Sequence, residues 1–343
     1  MSSITGVSAA DTPGPDDDLQ EGGPEDRTPA GDGASTGRLG DKIFSALASG
    51  AGILVVALVT LGGAFLVIQA SPALADNDSN FLLSQDWDVD SSPLHFGIAR
   101  LLWVTVATSL VAMAIAVPFA VCIALFLTQY APSWLAKPGA ALIDLLAAVP
   151  SIVYGLWGLF TVGPLFQPVQ DVITSVLGWF PLFSETQTSA GSTIFFVSVI
   201  LAIMILPIIT ALSREVFAQT PQAHKDAATA LGATKWEVIR TAVLPLGKPG
   251  IISASMLGLG RALGETVAVM MIVSALAPNA DWNWSLFTGG ETFASKIANN
   301  AGEFDNPTKT GAYIAAGLVL FILTFVVNSL ARIVIERRKA FSE

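Results

Sequence analysis

The sequence predicts an all-α integral membrane protein of six transmembrane helices, and three observations predict it: the composition, the length of the apolar runs, and the placement of charge between them. Of 343 residues, 52% are hydrophobic and only 13% are charged, with a mean hydropathy of +0.63. A soluble domain carries about 25% charged residues, so water cannot be the solvent for most of this chain. Runs at about 46–70, 99–129, 139–166, 191–213, 250–277 and 311–333 are apolar enough to span. At 1.5 Å per residue each is long enough for roughly 30 Å of hydrocarbon.

Residues 1–41 come first, and they hold nine acidic residues against Arg27 and Arg38, with much Gly, Pro, Ser and Thr and no apolar run. Such a segment cannot offset its ordering entropy, so it is expected to be a disordered acidic cytoplasmic tail. It is too long and too acidic for the n-region of a signal peptide, so the first run is expected to be a retained anchor. The membrane domain then covers residues 42–338, and 339–343 form a C-terminal cytoplasmic tail. Sidedness follows from basic residues, which are retained in the cytoplasm. Arg38 and Lys42 precede the first run, Lys137 lies between the second and third, and Arg214, Lys225, Lys235, Arg240 and Lys248 lie between the fourth and fifth. Arg332, Arg337, Arg338 and Lys339 close the chain, whereas the alternate connections carry only Lys296 and Lys309. Both termini are therefore expected in the cytoplasm.

On the opposite side, the acidic loop 76–90 contains Asp76, Asp78, Asp86, Asp88 and Asp90. It is either a contact for an extracytoplasmic partner or a merely soluble connection. In the second run the single Cys122 reads as a small buried hydrophobe, and it leaves no intrachain disulfide to form. Pro118, Pro150 and Pro207 each remove a backbone donor within an apolar run, so kinks are expected there. In the third run Ser151 and Tyr154 could turn hydroxyls towards a pathway, or Tyr154 could serve an ordinary helix contact. Asp144, near the cytoplasmic end of that run, is expected to find a structural partner.

The cytoplasmic connection, about 216–248, carries local signals for two short helices. Thr220-Pro221 places an N-cap residue before a proline, and Gly232 suits the left-handed residue that ends a helix. Thr234-Lys235-Trp236-Glu237 matches a capping box, and Pro245 is expected to stop the second helix. With Trp236 on such a loop, the alternatives are a docking surface for a soluble partner and an amphipathic connection lying on the membrane.

The fifth run holds Arg261 and, four residues on, Glu265, between Leu-Gly-Leu-Gly and Thr-Val-Ala-Val-Met-Met. Ionised groups inside a spanning helix cost roughly 2.5–3.5 kcal/mol each at the bilayer centre, so they are rare and usually functional. If this helix starts near Pro249, Arg261 lies about 18 Å along it and Glu265 about 24 Å. Spaced i, i+4 on one face, the two could pair. That pair is either part of a polar pathway or a structural tie to a neighbour. Gly260 and Gly264 form a G-x-x-x-G pair that would let another helix approach. His95 and His224 fall on opposite sides of the membrane, which excludes a shared metal. The sequence contains no phosphate-cradling G-x-x-x-x-G-K-[ST], no H-E-x-x-H and no G-x-S-x-G. No catalytic or metal site is expected in this chain, and ATP, if used, must be bound elsewhere.

These residues carry a resemblance. Asp226-Ala227-Ala228, then Gly232, then Leu244-Pro245 resembles the E-A-A loop of ATP-binding-cassette importer permeases, with Asp226 in place of Glu and Ala242 in place of Ile. Ala147-Ala148-Val149-Pro150-Ser151-Ile152-Val153-Tyr154-Gly155-Leu156-Trp157-Gly158, together with Gly258 through Thr266, is similar to the permease subunits of the phosphate-specific transport system, of PstC type. The resemblance implies a MetI-like, type I permease architecture in a bacterial inner membrane. It implies a heterodimer with a second homologous permease, two ATPase subunits that carry ATP and Mg, and an extracytoplasmic phosphate-binding protein. No cofactor is expected on this chain, and its partners would otherwise be phosphate and lipid, with no nucleic acid.

On that resemblance Asp226, Ala227, Ala228, Gly232, Trp236 and Pro245 are expected to couple the chain to the ATPase. Arg261 and Glu265, with Ser151 and Tyr154, are expected to line the substrate path. Arginine stays protonated and presents five donors in a planar fork, which suits phosphate oxygens. Glu265 is expected to hold the guanidinium when the path is empty. The rivals are a permease for another oxyanion such as molybdate, sulfate or phosphonate, an intramembrane enzyme using Glu265 as acid or base, and an assembly subunit.

Overall fold

The computed structural model describes residues 38–184, 188–276 and 283–339. The expected acidic tail therefore lies almost wholly outside the described residues, as does most of the C-terminal one. The chain divides into two units at Leu58 and Val59. Helix α1 (Arg38–Ala75) runs through both. In the first unit its side chains, Ile53, Leu54, Val55 and Val56 among them, are exposed all round the helix, a surface suited to lipid.

In the second unit β1 (Trp87–Asp88) pairs antiparallel with β2 (His95–Phe96). There follow α2 (Ala99–Leu125), prolonged by a π-turn to Tyr130, then α3 (Ser133–Ala147), α4 (Ser151–Trp157), α5 (Gln167–Leu177) and α6 (Ile194–Ala218). The connection after α6 forms α7 (Gln222–Ala230) and α8 (Lys235–Val238). Beyond it lie α9 (Leu244–Leu263), α10 (Val267–Ile272), α11 (Phe293–Asn299) and α12 (Pro307–Lys339). Five helical stretches are long and apolar enough to cross a membrane, and the pair formed by α3 and residues 151–165, bent by 91°, makes a sixth when counted as one span.

The core lies where α2 meets α6. Ala112, Ala116, Ala120 and Ala124 recur every fourth residue on α2 and are fully buried, so the two backbones come close along a seam of methyl groups. From α6, Ile200, Leu201, Ile205 and Ile209 fill that interface without measurable exposure. Cys122 lies off this seam and is exposed, which corrects the expected buried role: on a helix whose inward face is alanine, position 122 points outward.

The prolines divide into two kinds. Helices α2 and α6 run unbroken through Pro118 and Pro207. Their flanking turns are held by fully buried contacts at Ala116, Ala120, Ile205 and Ile209, and this packing outweighs one missing hydrogen bond. At Pro150 the chain does break. Val149 is disfavoured from helix by the ring that follows it, and Pro150 is extended at φ −59°, ψ 141°.

The acidic loop is a folded cap. Asn77 makes two hydrogen bonds to the backbone of Phe96, at 2.9 and 3.0 Å. The rings of Trp87, Phe96 and Tyr313 stack behind it, and Asp90 accepts a hydrogen bond from Lys309 at 2.6 Å.

Candidate functional site

Two interrupted helices meet in this fold. The first interruption separates α3 from α4. Across it the Tyr154 hydroxyl donates to the Leu146 carbonyl at 3.0 Å, the oxygen that also accepts the Val149 N–H at 3.2 Å. Tyr154 is buried at 8% exposure, so its hydroxyl stitches the bend, which is the helix-contact alternative of the two raised by the sequence. Ser151 opens α4 and is half-buried.

The second interruption corrects the sequence reading most sharply. In place of one helix over 250–277, α9 stops at Leu263, Gly264 and Glu265 stand outside helix, and a new helix, α10, begins at Val267. Glu265 Oε1 accepts the Ala268 N–H at 3.1 Å. A carboxylate that bonds an amide three residues on competes with the helical ladder and starts a new helix instead. Glu265 is 8% exposed, and it makes no ion pair with Arg261. The expected i, i+4 pairing therefore fails, because the intervening turn is not helical.

The two interruptions are neighbours. Helix α4 packs on α10 where Gly155 meets Ala268: a Cβ on Gly155 would sit 3.1 Å from the Ala268 Cα, so glycine is what permits the contact. Ser151, Tyr154, Arg261 and Glu265 are thus gathered around two broken helices, an arrangement tolerated at membrane depth where the irregular backbone is buried in protein or lines a cavity.

Arg261 lies in the last turn of α9, where its charge complements the helix dipole, and it is half-buried. It lines a cleft of about 610 Å³ together with Ser253, Leu257 and Gly260 of α9, Ile208 of α6 and Asn328 of α12. Gly260 has nothing within 4 Å of where a Cβ would stand, and Gly264 meets only its own helix, so the G-x-x-x-G pair receives no helix of this chain among the described residues. Ser253 and Asn328 were not singled out by the sequence reading. Asn328 had a signal, a lone amide within the apolar run 311–333.

The loop between α6 and α9 is built much as its sequence indicates. Gly232 takes φ +82°, and the Gly232 and Ala233 amides donate to the Thr229 and Ala228 carbonyls at 2.9 and 3.2 Å, a Schellman ending. The capping box forms, with the Thr234 N–H donating to Glu237 at 2.7 Å and the Glu237 N–H to Thr234 Oγ1 at 3.4 Å. Two details differ. Pro221 itself stands at the N-cap of α7, so Thr220 does not cap it. Pro245 stops nothing: α8 passes through a π-turn, Ile239–Val243, directly into α9, and Pro245 falls just after that turn. No residue of α7 is buried, Asp226, Ala227 and Ala228 included, and beside it Leu231 is 90% and Trp236 55% exposed. Asp144 has its partner, with Arg214 Nη2 3.3 Å away, tying α3 to α6.

Residues 116–340 match the family described as binding-protein-dependent transport system inner membrane component. The chain is 52% identical over 299 residues to the phosphate transport system permease protein PstC 2 of Mycobacterium tuberculosis, covering 86% of this chain and 91% of that one. It is 51% identical over 308 residues to PstC of Mycobacterium leprae, with 89% and 96% covered, and 41% identical over 269 residues to PstC of Pasteurella multocida, with 76% and 82% covered. Among solved structures, a chain of the MetNI methionine ABC transporter superposes with a TM-score of 0.53 at 16% identity, covering 70% of this chain and 95% of that one. A chain of a bacterial ABC transporter involved in alginate import gives 0.51 at 15%, covering 69% and 78%. At such identity these two speak for the fold alone.

Proposed function

The chain belongs to the PstC family of phosphate transport permeases, within the binding-protein-dependent inner membrane components, and from that membership we propose that it forms half of an ATP-driven import path for inorganic phosphate. It is a multi-pass membrane protein that moves an ion and makes or breaks no covalent bond. A second, homologous permease completes the path, two ATPase subunits bind ATP and Mg, and an extracytoplasmic phosphate-binding protein delivers the cargo. The distribution of Lys and Arg supports a bacterial plasma membrane orientation with both termini in the cytoplasm.

The observation that carries the mechanism is one continuous rod. From the capping box at Thr234, helix runs through the π-turn to Leu263, so exposed Trp236 stands at one end and Arg261 at the other. Their separation is roughly 38 Å along the axis. Asp226, Ala227, Ala228 and Gly232 shape the tip that docks on the ATPase, and Pro245 leaves the rod intact. A displacement at that tip is transmitted to Arg261 because a packed helix moves as a body.

Arg261 makes no ion pair with a residue of this chain among those described, so its guanidinium is available to an oxyanion in the cleft beside it. Five donors in a planar fork can take two phosphate oxygens at once. Conduction also requires that the ion leave, and an open cleft with one fixed cation holds less firmly than a closed cage. Ser151 and Tyr154 act here through the bend they build.

Labelled phosphate uptake by the reconstituted importer tests this. Arg261→Gln abolishes uptake while the complex still assembles, and Arg261→Lys retains a fraction, having the charge without the fork. Full activity in both variants would overturn the proposal.

A further inference from the structure

The bend between α3 and α4 lies inside the membrane, and two contacts with α6 bracket its depth. On the α3 side Asp144 faces Arg214, four residues from the Ala218 end of α6. On the α4 side a Cβ on Gly158 would stand 3.1 Å from Ile200 Cγ1, six residues from the Ile194 end. Helix α6 crosses with 25 residues, about 38 Å at 1.5 Å per residue, so Pro150, between those two levels, falls within the hydrocarbon. The backbone there is bare. Ala148 and Pro150 are exposed, α4 starts without a side-chain cap, and among the described residues no hydrogen bond reaches the Ala148 or Val149 carbonyl.

Lipid cannot cover such a break, because hydrocarbon offers nothing to an unsatisfied backbone group. Water does not suit what flanks it. Ile152, Val153, Leu156, Trp157 and Phe160 are all exposed and recur at i, i+1, i+4, i+5 and i+8, which makes one continuous apolar stripe ending on Phe160 at 71% exposure. On the opposite face Gly155 and Gly158 are buried against α10 and α6. Across the bend Leu142 and Leu145 of α3 extend the exposed apolar surface. An apolar patch of this kind marks a protein contact. Another protein surface can meet both demands, with donors for the bare carbonyls and side chains for the stripe. Because the patch lies at membrane depth, its occupant is itself a spanning chain and not a soluble subunit.

We infer that the broken span is the seat of the second permease. The stripe from Ile152 to Phe160 packs against a spanning helix of that homologous subunit, which also supplies donors to the Ala148 and Val149 carbonyls. The inference rests on the reading of the chain as one half of a two-permease path and gives that reading its contact face. The stripe shares no residue with the lining of the Arg261 cleft, so it can be altered without touching the group that meets the ion.

The test uses the assembled importer in proteoliposomes, with photoreactive p-benzoylphenylalanine in place of Ile152 or of Phe160, and in place of exposed Leu54 on α1 as a lipid-facing reference. Illumination is expected to join the first two positions to the second permease, identified by the mass of the adduct, in a yield several-fold above that at Leu54. Ile152→Glu, which sets a carboxylate in the stripe, should cut recovery of the second permease with a tagged form of this chain several-fold, and Ile152→Leu should leave it unchanged. Where the glutamate variant fails to insert, the adducts decide alone. Adducts with lipid only, with the ATPase or with another copy of this chain would overturn the assignment, as would full recovery of the second permease with Ile152→Glu. Phosphate uptake separates the two readings: uptake without a permease adduct at either position removes this contact face alone, whereas the expected adducts in a complex whose parent moves no phosphate remove the path.

Discussion

The Glu265 carboxylate accepts the Ala268 amide at 3.1 Å, and this bond starts α10 where a continuous helix would otherwise run. It frees Arg261, four residues earlier, from the partner that helical spacing would assign it. A side-chain bond worth about 1 kcal/mol therefore decides which groups stand beside Arg261.

If Glu265 acts as a cap, its acceptor oxygen matters more to the fold than its charge. Glu265→Gln should keep the thermal stability of the purified permease near that of the parent. Glu265→Ala should lower it by about 0.5–2 kcal/mol, the usual range for a lost cap. Equal melting of the two variants would contradict the role.

Tyr154→Phe removes the one side-chain donor to the Leu146 carbonyl and leaves the packing of the ring intact. The Leu146 carbonyl keeps the Val149 N–H at 3.2 Å, so the loss is one hydrogen bond, about 0.5–1.5 kcal/mol. Lower thermal stability with reduced phosphate uptake is the expected outcome. A variant as stable as the parent would mean that the bend holds without the stitch.

Gly232 sits at φ +82° with nothing within 4 Å of its would-be Cβ, so any cost of substitution is conformational and not steric. Gly232→Val should weaken co-purification of the ATPase, because a left-handed residue bearing a Cβ costs roughly 1–2 kcal/mol. Gly232→Asn should be tolerated far better, since asparagine visits this region. Equal recovery of the ATPase with all three residues would argue against the loop geometry as the docking determinant.

Deleting residues 1–36 should leave phosphate uptake unchanged, because this acidic stretch carries no apolar run that the membrane domain could bury. Loss of uptake with normal membrane insertion would assign the tail a role in transport.

Much of this was legible in the residues because it depends on local or solvent-wide physics. Apolar length set the spans, since every unsatisfied backbone group in hydrocarbon is costly and only helix removes that cost within one segment. The left-handed Gly232 and the Thr234–Glu237 capping box were readable because each is closed by bonds within a few residues. Asp144 could be assigned a partner in kind, although only the fold identified it as Arg214.

Tertiary structure decided where helices break and what the site contains. Pro118, Pro150 and Pro207 look alike in sequence, yet only Pro150 interrupts its helix, because the others lie between turns pinned by fully buried side chains. Pro245 looked like a stop and became part of a rod, since the π-turn just before it, Ile239–Val243, leads straight on into α9. Asn328 and Ser253 joined Arg261 in one cleft, across distances in sequence that no periodicity relates. The sequence by itself determined a six-span membrane fold with a two-helix loop and a cation within an apolar run, because transfer and capping energies act residue by residue. Which groups that cation meets was decided by packing, whose energies exist only once distant segments touch.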